Sequence, residues 1–334
     1  MKGITIKDIA RDLGVAASTV SRALQNHPDI SEETRKAVHA YAREHNYKPN
    51  IMASNLRTAR NTTIGLLIPS ATHYFYARAL KGVEQAAAEA GYSVVITQSE
   101  EDPVLEQQAL RALSSLRVAG VLACVSRNNE SLAALNELVE DEIPVVLFDR
   151  LTEARCDQVV SDDFGGAFRA VEYMIQTGAR KVAYYSSKLE EHTSAERFRG
   201  YREALKKYDI PFDPTLVLEC NTRSDALVMT PDFFRRVGKP DAVLAVNDHT
   251  AAGILQSAKT LNIRVPEDLQ ICGFSNDTLT RHTDPMLSTV QQHAKEMGGE
   301  AMRLLIERIQ ESGEHMPPKT LTLPTDLIVR ETTF

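Results

Sequence analysis

The chain has 334 residues, of which 43% are hydrophobic and 25% charged, with a formal net charge of −7. This is ordinary globular usage, enough for a small head and one large or two medium lobes. No apolar run approaches 18 residues, which excludes a transmembrane helix. The N-terminus lacks an apolar signal core, so a cytoplasmic protein is expected.

Residues 4–24, ITIKDIARDLGVAASTVSRAL, predict a helix, a Gly turn and a second helix. Ile6, Ile9, Ala10 and Leu13 recur at helical spacing and would face a core. Gly14 stands where the first helix must stop, a place where positive φ is cheap only for Gly. Val15, Val20 and Leu24 are the expected buried residues of the second half. Ala17, Ser18, Ser21 and Arg22 are expected to point outward. A small, hydroxylic, basic face is what a major-groove reader needs, with one Arg available for a guanine. A surface helical hairpin with no DNA role is the plainer alternative.

Residues 31–46 predict a third amphipathic helix. Ser31 suits its N-cap, and Glu32 and Glu33 suit the positive end of its dipole. Pro49 breaks that helix. Asn50 can cap a further segment reaching Leu56, barely two turns and marginal alone in water. Charge follows the same division. Residues 1–60 carry ten basic and six acidic side chains, a balance of +4, and the remainder carries −11. A basic head on an acidic body is the electrostatic footprint of DNA binding.

From residue 62 the pattern alternates between strands and helices. TIGLLIPS, SVVITQS, VAGVLACVS and IPVVLFD are the first run of strands, with helices from YARALKGVEQAAAEAGY and at 104–116 and 131–140. QVVSDD leads into KVAYYSS, LVLEC, DAVLAVN and LQICGFS, with helices at 165–177, 194–207, 224–235 and 250–261. A last helix at 294–311 precedes LTLPTDLIVRETTF. Continuous β-branched runs between helices predict parallel sheets covered on both faces. Two such runs predict two doubly wound lobes, with a ligand at the carboxyl ends of the strands between them.

Several residues fall just after strands, where that ligand would sit: Ser70, Phe75, Tyr76, Arg127, Asp149, Arg150 and Arg223. Phe75 and Tyr76 could stack on a ligand ring or simply fill core. Arg150 could instead bridge lobes. The Asp162–Asp163 pair, before Phe164-Gly165-Gly166, is read as helix capping for at least one of the two. His249 and His293 are lone histidines, read as structural or surface. Cys124, Cys156, Cys220 and Cys272 are isolated, with no CxxC and no Cys/His cluster, so neither disulfides nor a metal site are expected. No cofactor motif appears. A GxGxxG after a strand, a P-loop and a G-x-S-x-G elbow are all missing, which argues against an enzyme.

The strings IKDIARDLGVAASTVSRALQN, ISEETR, HNYKPN and ASNLRT resemble the LacI family of bacterial transcription regulators, and the resemblance runs along the whole chain. It implies a helix-turn-helix head over 1–49 and a hinge over 50–60. Residues 61–334 would then form a sensor core of the periplasmic-binding-protein-like, doubly wound α/β type. Lobe one would hold about 61–160 and 291–323, and lobe two about 161–290 and 324–334. The chain would cross between lobes near Ser161, Val290 and Pro324.

By the same resemblance Ala17, Ser18 and Arg22 read bases. Thr19, Ser21 and Asn50 fit backbone contacts, and Ile6 and Ala53 complete the DNA-contacting set. Leu56 would wedge into the minor groove. The family usually has Ser where this chain has Ala16, which weakens the N-cap by about 1 kcal/mol. In the sensor, Arg197, Asn247 and Asp248 match effector-contacting positions, with Asp248 expected to accept sugar hydroxyls and Arg197 to donate. Ser275 replaces a common Asp, and there is no Trp.

The function implied is a DNA-binding transcription regulator, with repression the expected sign. It would act on a near-palindromic operator as a homodimer, since no heptad helix follows Arg330. The alternative is a sugar-binding or sugar-modifying protein of the same fold without a regulatory role. Arg127, Arg150, Arg197 and Arg223, if clustered at the cleft, would favour a carboxylate or phosphate on a sugar-like effector. A neutral sugar, with some of these residues bridging lobes, is the competing expectation.

Overall fold

The computed structural model describes residues 4–24, 26–45, 47, 61–126, 132–189, 192–311 and 317–334. They divide into two compact units, residues 1–61 and 62–334.

In the first unit, α1 spans Ile6–Asp12, α2 Ala17–Leu24 and α3 Glu32–Glu44. Thr5 and Asp8 form a reciprocal capping box at the start of α1, satisfying two of the backbone donors that every helix start leaves open. Gly14 turns the chain at φ +65°. Ser31 caps α3 by accepting from the Thr34 amide. Ile9, Val20, Ala23 and Val38 are completely buried, and the Tyr41 hydroxyl donates to Asp12, tying α3 to α1.

Two expectations for α2 are corrected. Ser21 does not point outward but is buried. Ala17 is half-buried and packs on the core. The cause is that α2 packs against both α1 and α3, so its covered stripe is wide enough to take Val20, Ser21 and Ala23 together. Ser18 and Arg22, four residues apart on the opposite side, are left exposed.

Among the described residues, the second unit holds two six-stranded sheets. The first comprises β1 Thr63–Ile68, β2 Ser93–Gln98, β3 Gly120–Ala123, β4 Val145–Phe148, β5 Asp157–Ser161 and β11 Thr320–Leu323, in the order β11-β5-β4-β3-β1-β2. The second comprises β6 Val182–Ser186, β7 Val217–Glu219, β8 Ala242–Ala245, β9 Gln270–Phe274, β10 Ser288–Gln291 and β12 Asp326–Ile328, in the order β12-β10-β9-β8-β6-β7. All pairings are parallel except β10 with β12. Helices α4 Tyr74–Glu89, α5 Pro103–Ser115, α6 Leu132–Glu140 and α11 Ala294–Gln310 belong with the first sheet. Helices α7 Asp163–Gln176, α8 His192–Lys207, α9 Arg223–Val237 and α10 Asp248–Thr260 belong with the second.

The chain leaves one sheet for the other at residues 161–163, 291–294 and 323–326. These three crossings bond to one another. Gln292 Nε2 donates to Ser161 Oγ at 3.4 Å, Thr325 Oγ1 donates to the Asp162 carbonyl at 3.1 Å, and His293 Nε2 lies 2.7 Å from Asp326.

Helices α4 and α11 meet almost backbone to backbone. A Cβ placed on Gly82 would lie 1.9 Å from the Lys295 carbonyl oxygen, and one on Gly298 would lie 2.1 Å from that of Ala79. Gly82→Ala must therefore push two packed helices apart, at an expected cost of about 1–3 kcal/mol. Thermal melting checks this, and an unchanged midpoint would show that the helices part freely.

Candidate functional sites

On the head, the exposed face of α2 offers Ser18 and Arg22, with Thr19 partly exposed beside them. Arg22 makes no ion pair among the described residues, so its guanidinium is available to an external acceptor. Ile6 is half-buried against the head's core. Asn50, Ala53 and Leu56 lie outside the described residues.

In the second unit, a cavity opens at the carboxyl ends of the strands and is lined from both lobes. Tyr76 and Phe75, in the first turn of α4, form its lobe-one wall, edge to face at 5.3 Å between ring centres. Both are buried, and both belong to the lobe-one core as well as lining the cavity. Asp149 follows β4 in a left-handed conformation, φ +70°. That turn aims its carboxylate inward, where it accepts from the Tyr76 hydroxyl at 3.3 Å. Burial raises the carboxyl of Asp149 above its ordinary range, against the pull of Arg150.

Arg150 does not bridge the lobes. It grips Glu101 with both terminal nitrogens, at 3.0 and 2.7 Å, and also donates to the Val125 carbonyl and the Tyr76 hydroxyl. All of these partners are in lobe one. From lobe two, Arg197 on α8 donates through Nε to Asp163 at 2.7 Å and through Nη1 to the Val246 carbonyl at 2.6 Å. Its guanidinium lies 3.8 Å over the Phe274 ring. Burial pushes the Asp163 carboxyl up to about 6, and Arg197 opposes that rise. The neighbouring acid, Asp162, instead accepts from the Gly165 amide and caps α7.

Asn247 lines the cavity but is committed at both ends, capping α10 through Oδ1 and donating to the Asn221 carbonyl through Nδ2. Ser275 donates to Gln292 at 2.9 Å, which joins the cavity to the crossing network. Gln292, Asn221, Ser187 and Thr193 add amides and hydroxyls to the lining. Across the gap, the His73 and His249 rings stand 6.0 Å apart.

Several sequence expectations fail here for physical reasons. Asp248 is not a ligand-facing acceptor. It is buried beneath the cavity, accepting from Thr289 Oγ1 at 2.6 Å and from the Asp277 amide at 2.7 Å. Arg223 does not join the cavity: it opens α9 as an exposed residue, donates to Gln256, and lines a separate groove with Lys259 and His282. Ser70 is not in the lining and bonds Thr72 instead. Arg127 lies outside the described residues. The expected cluster of four guanidiniums at the cleft is therefore not assembled, and each of the two present carries its own carboxylate. Glu101 and Asp163, which supply those carboxylates, were missed as site residues. Only their places, just past β2 and β5, could have signalled them.

Burial pushes the Asp248 carboxyl up to about 7, with the Thr289 and Asp277 bonds opposing. A carboxyl raised in the folded state contributes most stability below its unfolded value near 4, and that contribution is lost as pH rises through about 7. Asp248→Asn keeps the shape without the charge. Its melting temperature should fall less than that of wild type between pH 5 and 8. Parallel profiles would show that Asp248 does not titrate there.

The comparisons agree with this architecture. Residues 5–50 match the family described as "Bacterial regulatory proteins, lacI family", and residues 171–333 match "Periplasmic binding protein-like domain". The transcriptional repressor PurR of Vibrio vulnificus (strain CMCP6) is 30% identical over 330 residues, 98% of each chain. The transcriptional regulator DegA of Bacillus subtilis (strain 168) is 30% identical over 331 residues, again 98% of each. Among solved structures, the regulator CelR in complex with cellobiose covers 98% of this chain and 99% of its own at 30% identity, with a TM-score of 0.74. The Lac repressor dimer bound to operator has a TM-score of 0.88 at 22% identity, covering 99% of each chain, and supports the fold alone.

The chain belongs to the lacI family of bacterial regulatory proteins. It is a DNA-binding transcription regulator of the repressor type, controlled by a small-molecule effector, and not an enzyme.

Proposed function

We propose that the effector is an uncharged, hydroxyl-rich sugar, and that the chain acts from the cytoplasm as a homodimer on a near-palindromic operator. The observation that carries the effector reading is the pairing of both cleft guanidiniums, Arg150 with Glu101 and Arg197 with Asp163. A ligand carboxylate would have to compete with a protein carboxylate already in place, whereas hydroxyls can use the remaining N–H groups, the Asp149 carboxylate and the amides. The cellobiose named in the CelR complex is such a molecule. The dimer reading is supported by the bare edge strand β2, which leaves Val95 and Ile96 exposed beside Val104 and Leu105 on α5. An apolar strand edge of this kind calls for a partner.

Neutral mono- and disaccharides, each matched to its uronic or aldonic acid, are titrated against the full chain by thermal shift. Hits are then carried into operator binding. A neutral sugar should stabilise more than its acid, and effector and operator should change each other's affinity by one common factor. Stabilisation by the acids alone would overturn the uncharged reading. A chain that sediments as a monomer on and off DNA would overturn the homodimer.

A further inference from the structure

A second cavity, of about 330 Å³, lies beyond Phe75 and Ser275 and is separate from the effector cleft except for those two shared residues. Three of its lining residues, Asn276, Gln291 and His293, belong to a chain of hydrogen bonds that ends on Arg330 and Asp326. Arg330 donates to Asn276, Asn276 donates to Gln291, Gln291 bonds His293, and His293 bonds Asp326.

The walls differ. Arg78 on α4 and Lys295 on α11 come from lobe one, and Arg281 comes from the turn Thr278–Arg281 of lobe two. None of the three forms an ion pair or side-chain hydrogen bond among the described residues. Glu296 is the single carboxylate among the described lining residues, and Asp326, bonded to His293, lies behind them. Arg78 and Lys295 are held together by the close α4–α11 packing at Gly82 and Gly298. Three left-handed non-glycine residues, Ser275, Asn276 and His293, also line this space, and strained backbone of that kind gathers at ligand sites. Like charges brought to one cavity from both lobes repel unless something anionic sits between them.

We propose that this second cavity binds a small phosphate ester, of about the size of a sugar monophosphate, held by Arg78, Arg281 and Lys295. Three cations from three segments match the three free oxygens of a phosphate monoester. A cavity of this volume has room for the ester's carbon skeleton. Because the cations come from both lobes, an occupant ties the lobes together beside the effector cleft and biases the same movement that the effector controls. The proposal does not depend on the identity of the cleft effector.

The test is calorimetric titration of the full chain with glucose 6-phosphate, inorganic phosphate and free glucose. The ester should bind once per chain and more weakly as salt rises. Arg281→Ala and Arg78→Ala should each weaken it by about tenfold or more, and Arg281→Lys should recover part of the loss. Both arginines are exposed, so these variants should fold, and an unchanged melting temperature verifies it. Asp149→Asn, in the effector cleft, should leave ester binding within about twofold. No saturable binding of the ester would overturn the proposal. So would inorganic phosphate binding as tightly as the ester, or an ester site lost in Asp149→Asn but intact in Arg281→Ala, which would place the ester in the effector cleft.

Discussion

Arg197→Ala should destabilise the second unit by about 3–5 kcal/mol, the usual consequence of leaving a buried charge without its partner. Arg197 and Asp163 are both almost fully buried, 2.7 Å apart. The substitution also removes the bond to the Val246 carbonyl and the stacking on Phe274. For a unit of this size the melting temperature should drop by roughly 6–15 °C. The deficit should shrink near pH 5, because the orphaned Asp163 carboxyl, already pushed up to about 6 in the intact protein, can then take a proton. Replacing both partners with apolar side chains should recover much of the loss, because no unpaired charge remains. A single variant as stable as wild type at pH 8 would mean that the pair is not what holds α7 against α8.

Arg22→Ala should weaken operator binding by about ten- to a hundredfold at matched salt, the worth of one good base contact. The side chain is exposed on α2, one turn from Ser18, and the helix that presents it is fixed by Val20 and Ala23 in the core. Specificity at one operator position should relax. The salt dependence should change little, because a base contact displaces few phosphate counterions. Equal affinity of the variant and the wild type for a selected operator would remove Arg22 from the reading set.

The fold class was legible because its signals are redundant. Most strands of the second unit are short apolar runs between helices, and the head's apolar spacing is helical throughout. What escaped was short or marginal. Ser288–Gln291 and Asp326–Ile328 are only four and three residues long and carry polar residues among them, so no run of apolar residues marks them as strands. In the site, position was readable and direction was not. Arg197, Asp149 and Asn247 all reach the cavity. Arg223 and Asp248 sit just as close to strand ends and turn elsewhere, one outward and one beneath the floor. A strand end places a residue, but its side chain follows whichever partner satisfies it, and Glu101, Asp163 and Thr289 lie far in sequence from the residues they bind.

The three crossings have a kinetic consequence. The edge of the first sheet is closed by β11, whose residues pair with β5 some 160 positions earlier, and the edge of the second by β12, just beyond it. Neither lobe is a contiguous stretch of chain, so neither can finish folding while the other is unformed. Contacts of such sequence separation demand that a long loop be closed before they repay it, which slows the search for the native state. They also interlock the product: loosening either lobe strips a strand or helix from its neighbour. The 62–334 unit should therefore assemble slowly and come apart as one body, a sensor whose halves can swing relative to each other but cannot melt independently.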